Sequence, residues 1–168
     1  MVSVWATGRQ RQRAMIVQDN SRRDYLVIAV SMAVAAIFIY AGIDKLRDPM
    51  QFADSIEGFA ILPVALISLL SLSLPPYEVA SGLLLLWPRT RRIGALAVAA
   101  VSMVFFAALA SALIRGLTLD CGCFGVGAPS RPRMWLELAL DVLLFSGALF
   151  VYLRSITRLS TPAPALSD

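Results

Sequence analysis

Apolar residues fall into four long blocks separated by short polar segments. The first, Tyr25 to Ile43, is an uncharged run of 19 residues; the third, Ile93 to Ile114, is one of 22. The second, Phe59 to Trp87, is broken only by Pro63, Pro75-Pro76 and Glu78, and the fourth, Met134 to Leu153, carries Glu137 and Asp141. About 20 apolar residues cross the hydrocarbon core of a bilayer, and lipid leaves the backbone no partner but itself, so each block is predicted as a spanning helix. The expected helices are 25–43, 63–87, 93–114 and 134–153. Pro63 suits a first helical turn, and Pro75-Pro76 predicts a kink inside the second helix. Between the first two helices, Asp44 to Gly58 repeats Phe52, Ile56 and Phe59 at near-helical spacing beside Asp54 and Glu57, which predicts an amphipathic interfacial segment after a stop at Asp48-Pro49. The first apolar run ends without a small-residue cleavage pattern and is expected to remain as a helix.

Four helices on short connections predict an all-α fold, an integral membrane four-helix antiparallel bundle. Its membrane domain is expected at 25–153, between a basic tail at 1–24 and a polar tail at 154–168. Small residues on the first and third helices, among them Ala35, Gly94 and Ala95, predict close backbone contact.

Composition narrows the class. Of 168 residues 58% are apolar and 15% charged, with mean hydropathy +0.74. That is too little charge for a soluble surface and far too little for a nucleic-acid-binding or disordered chain. The pI near 9.6 is read as topology. Ten of the 15 Lys and Arg residues lie on the side of the two tails and the second loop, and five lie in the first and third loops. The positive-inside rule then puts both termini in the cytoplasm and the third loop outside the cell membrane, where disulfides persist.

Histidine is absent and cysteine occurs twice, as Cys121 and Cys123. This excludes a His-ligated haem or metal site, a four-cysteine cluster and a serine–histidine–aspartate triad. The two thiols sit in Asp120-Cys121-Gly122-Cys123-Phe124-Gly125, just beyond the third helix. Cysteines one residue apart close a small strained ring that exchanges readily, and such a ring removes too little chain entropy to be a useful staple. A redox pair is therefore favoured over a static one, with Arg115, Arg131, Arg133 or loop amides offsetting Asp120 and the helix end.

Three acids lie within apolar blocks. Glu78 would cost about 2.5–3.5 kcal/mol at mid-membrane if unanswered, so it is expected to face the bundle interior, protonated or paired. Two roles are open to it: proton relay or the binding of a polar headgroup such as that of a quinone, and capping of backbone groups freed by the proline pair. Glu137 and Asp141, four apart, share a helix face and suit proton exchange or a polar seam answered by Lys45 or an arginine. Lys45 belongs to the same candidate relay, although Asp44, Lys45, Arg47 and Asp48 read more simply as interfacial ion pairs and snorkelling anchors.

Several of these residues together resemble a known pattern. Ala41-Gly42-Ile43-Asp44-Lys45-Leu46-Arg47-Asp48-Pro49, Leu62-Pro63, Pro76-Tyr77-Glu78 with Gly82, and Cys121-Gly122-Cys123-Phe124-Gly125 resemble the MauE branch of the DoxX-like membrane proteins over about residues 25–153. The resemblance implies a redox-associated membrane protein beside an extracytoplasmic thioredoxin-like partner, with Cys121 and Cys123 as the exchanging pair and Glu78 and Lys45 at family positions. With no thiols on the inner side, a membrane quinone or a second protein would complete the electron circuit. Two rival classes remain: a non-enzymatic scaffold or assembly factor with a structural cysteine loop, and a transporter built on Glu78, Glu137 and Asp141. Four helices without repeats leave the transporter little room for alternating access.

Overall fold

The computed structural model describes the backbone of residues 2–118 and 130–157, and side chains from residue 24 onward within those ranges. Among the described residues five helices follow one another: α1 Val2–Arg47, α2 Pro49–Gly58, α3 Val64–Leu86, α4 Arg91–Ile114 and α5 Arg131–Thr157. Four stretches are long and apolar enough to span a bilayer, namely Asp24–Arg47, Val64–Leu86, Arg91–Ile114 and Arg131–Thr157. The all-α architecture expected from the apolar blocks is the one found. The first and last helices are longer than expected, the last running from Arg131 to Thr157. The first helix begins well before the apolar run, in the basic segment, and the chain stays helical past Ile43 as far as Arg47. As expected, the second span is one helix that runs through Pro75 and Pro76.

The spanning helices form a closed ring in which α1 packs on α3, α3 on α4, α4 on α5 and α5 back on α1. Each neighbour is antiparallel. Gly42 of α1 lies against Pro75 and Val79, while Ala35 and Ile39, lower on α1, lie against Gly82; across the bundle, Arg92 at the start of α4 donates to the carbonyl of Ser155 near the end of α5. Polarity is arranged inside-out. Leu69, Leu72, Val104, Leu136 and Leu143 are exposed to the surroundings, as lipid-facing side chains should be, while the core of Val34, Ala35, Leu85, Ala95, Val98 and Ala148 is small and tightly packed.

Glycine sets the tightest contact. A Cβ on Gly94 would lie 2.6 Å from the Leu85 nitrogen and 2.8 Å from the Leu84 carbonyl carbon. Both obstacles are backbone, so α3 and α4 would have to part. Gly94→Ala is expected to destabilise the bundle by about 1–3 kcal/mol. Ile114→Ala, at a site 87% exposed, should change stability by less than about 0.5 kcal/mol. Thermal unfolding of the two variants in detergent measures the difference.

The short helix α2 is not simply an interfacial segment. Asp48 caps it, its carboxylate accepting from the Gln51 amide at 3.0 Å, and Pro49 occupies the first turn, where its missing N–H costs nothing. The same proline ends α1. Phe52 is buried against the bundle, and at the far end of α2 the Phe59 carbonyl accepts from Arg115 at the end of α4, 2.5 Å away. Phe59 also packs on the cluster of Leu109, Ala112 and Met134. Thus α2 climbs the bundle from the end of α1 toward the end of α4, and Ala60, in the left-handed region at φ 49°, turns the chain into α3.

Candidate functional site

Because α1 stops at Arg47 and α2 continues along α3, Lys45 is held inside the bundle. The close approach at Gly42, where a Cβ would meet the Pro75 carbonyl oxygen at 2.9 Å, brings α1 against the turn of α3 that carries Glu78. Lys45 Nζ donates to both carboxylate oxygens of Glu78, at 2.7 and 2.8 Å. The two residues are 3% and 2% exposed. Two aromatic rings cover the ammonium, Phe105 of α4 with its centroid 4.7 Å away and Phe52 of α2 at 5.3 Å. Ring faces attract a cation, most strongly when it is desolvated. Lys45 is therefore not the snorkelling anchor that its place near a helix end suggests. A lysine reaches the interface only if its helix end does, and here α2 and α4 close over it.

The pair lies deep. Glu78 is 14 residues past Val64, the first residue of α3, which is about 21 Å of helix. At such depth a single unanswered acid is expensive, and Lys45 answers it with a bidentate, charge-assisted contact. Of the roles open to Glu78, capping of backbone groups beside the prolines is not what its carboxylate does.

Glu137 is buried at 4% exposure and accepts from Arg133 Nε at 3.4 Å, one turn before it on α5. The polar seam answered by an arginine is thus present at this residue. Asp141, one turn further along α5, is half-buried. Lys45, Glu78, Glu137, Asp141 and Phe105 line one cavity of about 30 Å³ at the centre of the bundle. That is room for about one water, in a setting polar enough to hold it, and no room for an aromatic ring. The four candidate relay residues are therefore brought together, while the headgroup site expected beside Glu78 does not fit there. Among the described residues no group of His, Cys, Asp and Glu could hold a metal ion.

Cys121 and Cys123 lie outside the described residues. The helix ends that carry their connection are described. Arg115 and Gly116, with φ +74°, close α4, and Arg131 opens α5 at the end of the bundle where α2 meets α4. Phe52 and Phe105 join the site through contacts with Lys45 that nothing in the sequence signals, and Arg133 is the arginine that answers Glu137. The signal for Arg133 is its spacing of four from Glu137.

The described residues thus form a bundle of four helices of membrane-spanning length built around a buried Lys45–Glu78 pair. The chain belongs to the MauE family: the family described as "Methylamine utilisation protein MauE" matches residues 23–154. The methylamine utilization protein MauE of Paracoccus denitrificans is 34% identical over 124 residues, which cover 73% of this chain and 66% of that protein. Its counterpart in Methylophilus methylotrophus is 35% identical over 119 residues, 70% of this chain and 62% of the relative. The aligned part thus spans less than two thirds of either relative. No solved structure matches.

Proposed function

We propose that this protein is a membrane thiol–disulfide exchange protein that serves the process its relatives are named for, methylamine utilisation. In this reading both termini are cytoplasmic, and Cys121 and Cys123 face a thioredoxin-like partner outside the membrane. A thiolate of one protein attacks the disulfide of the other, giving a mixed disulfide, and the second thiol of the attacker resolves it. The net change is one dithiol oxidised to a disulfide and one disulfide reduced to a dithiol. The pair is then reset by a two-electron, two-proton carrier in the membrane, of the quinone class, or by a second protein. Each cycle of a dithiol moves two protons as well as two electrons, and Glu137 and Asp141, which line one cavity with Lys45 and Glu78, are the groups that would carry them.

The observation that supports this most is the placement of a buried, ion-paired carboxylate cluster inside the bundle whose α4–α5 connection bears the two thiols. A bundle that served only as a scaffold would be as stable, or more so, with apolar side chains of similar volume there. The test is the oxidation state of the thioredoxin-like partner in membranes containing Cys121→Ser/Cys123→Ser protein. The partner's thiol-to-disulfide ratio is expected to shift. An unchanged ratio with methylamine growth intact would favour the scaffold instead.

A further inference from the structure

At the end of the bundle where α2 meets α4, a groove of about 460 Å³ lies between α3 and α4. Its floor is α2, through Phe52, Ile56 and Phe59, and its walls include Leu70 and Leu74 of α3 and Val104 and Ser111 of α4. Phe52 is buried, whereas Ile61 and Val104 at the lips are exposed, so the groove opens sideways to the surroundings of the bundle. Its surface is almost wholly apolar. In lipid no water is released when such a groove fills, so an occupant is held by close packing and by whatever polar group stands at the mouth. A cavity of about 150 Å³ accepts a benzene molecule, and a groove about three times as large takes the greater part of one acyl chain.

A cation stands at one end of this groove. Arg115 donates from Nε to the carbonyl of Ser111 at 3.3 Å and from a terminal nitrogen to the carbonyl of Phe59 at 2.5 Å. Both acceptors belong to residues that line the groove, so the guanidinium is fixed where the last turn of α4 meets the end of α2. Arg115 is itself exposed. A guanidinium carries five N–H donors in a planar fork, and those two bonds leave the others directed at no acceptor among the described residues. A fork of this kind pairs with phosphate oxygens by parallel, charge-assisted bonds.

We propose that the groove is a phospholipid site, in which one acyl chain lies over α2 between α3 and α4 and the phosphodiester group sits on Arg115. The two parts of the site match the two parts of the ligand: an apolar trough for the chain, and a cation at its end for the anion. A quinone ring would find no donor along the trough and would leave the charge at its mouth unanswered. The inner end of the chain rests on Phe52 and Phe105, the rings that cover Lys45, so a bound lipid also shields the buried ion pair on that side. The site is independent of thiol exchange and stands or falls apart from it.

The experiment titrates the full chain in mild detergent with phosphatidylglycerol and, separately, with diacylglycerol of the same acyl chains, which lacks the phosphate. Native mass spectrometry counts the adducts. One phosphatidylglycerol is expected to bind, about tenfold or more tighter than diacylglycerol, as one hydrogen bond between charged groups provides. Arg115→Gln should lower phosphatidylglycerol affinity by the same factor and leave diacylglycerol affinity unchanged. Because that variant also alters the tie to Phe59, a second one tests the trough alone. Ala107 is exposed and lines the groove; Ala107→Phe fills it and should remove the adducts of both lipids while the thermal unfolding temperature in lipid-free detergent stays at the parent's. Equal affinity for the two lipids, undiminished binding in Arg115→Gln, or retention of the adduct in Ala107→Phe would each overturn the proposal. So would a dimer of this chain in place of the adduct, or displacement of the phospholipid by an equimolar decyl benzoquinone, which would assign the groove to a second copy or to a quinone.

Discussion

Lys45→Ala is expected to destabilise the bundle by about 3–5 kcal/mol, because it leaves the Glu78 carboxylate buried without its counter-charge. Glu78→Ala should cost about as much, since it strands an ammonium between the rings of Phe52 and Phe105. The double variant Lys45→Met/Glu78→Leu separates fold from function. Apolar side chains of similar volume remove the desolvation penalty together with the attraction, so stability should return to within about 1–2 kcal/mol of the parent, or exceed it. Activity should not return if the pair serves proton movement. Denaturant titration in detergent gives the stabilities and the coupling between the two sites. Single variants as stable as the parent would mean that the pair is already open to water or lipid headgroups, contrary to its burial.

That prediction turns on a residue whose position could not be read from the chain. Two residues before the end of α1, Lys45 has the sequence context of an interfacial anchor, and nothing in its immediate neighbours says otherwise. What places it inside is a contact formed by distant segments: α1 stops at Asp48-Pro49, α2 rises along α3 instead of leaving the bundle, and Gly42 lets α1 approach the Pro75 carbonyl. Glu78 was legible for the opposite reason. An acid amid leucines can go only inward or be neutralised, and apolar periodicity shows that without knowledge of tertiary structure. The span positions were legible because bilayer thickness fixes their length.

The second large effect concerns the thiols. Cys121→Ser and Cys123→Ser should each stop net exchange with the partner, but they should differ in what accumulates. Removal of the resolving cysteine leaves the attacking one able to form a mixed disulfide that cannot be released, whereas removal of the attacking cysteine leaves nothing trapped. Non-reducing electrophoresis of membranes containing each single variant should therefore show one variant with a partner-linked band that disappears on reduction, and one without. That asymmetry would assign the two roles. Identical behaviour of both variants, with the partner's redox state unaffected, would mean that the cysteines take no part in exchange.

The central claim, an exchangeable thiol pair on the outer side of a membrane bundle, is tested most directly by labelling in intact cells. A membrane-impermeant maleimide is applied before and after mild reduction, and the gel shift counts the thiols reached. The account predicts a shift of two labels after mild reduction without permeabilisation, and none in Cys121→Ser/Cys123→Ser protein. A pair that is labelled only once the membrane is breached would contradict the topology, and one that resists mild reduction altogether would contradict the exchange.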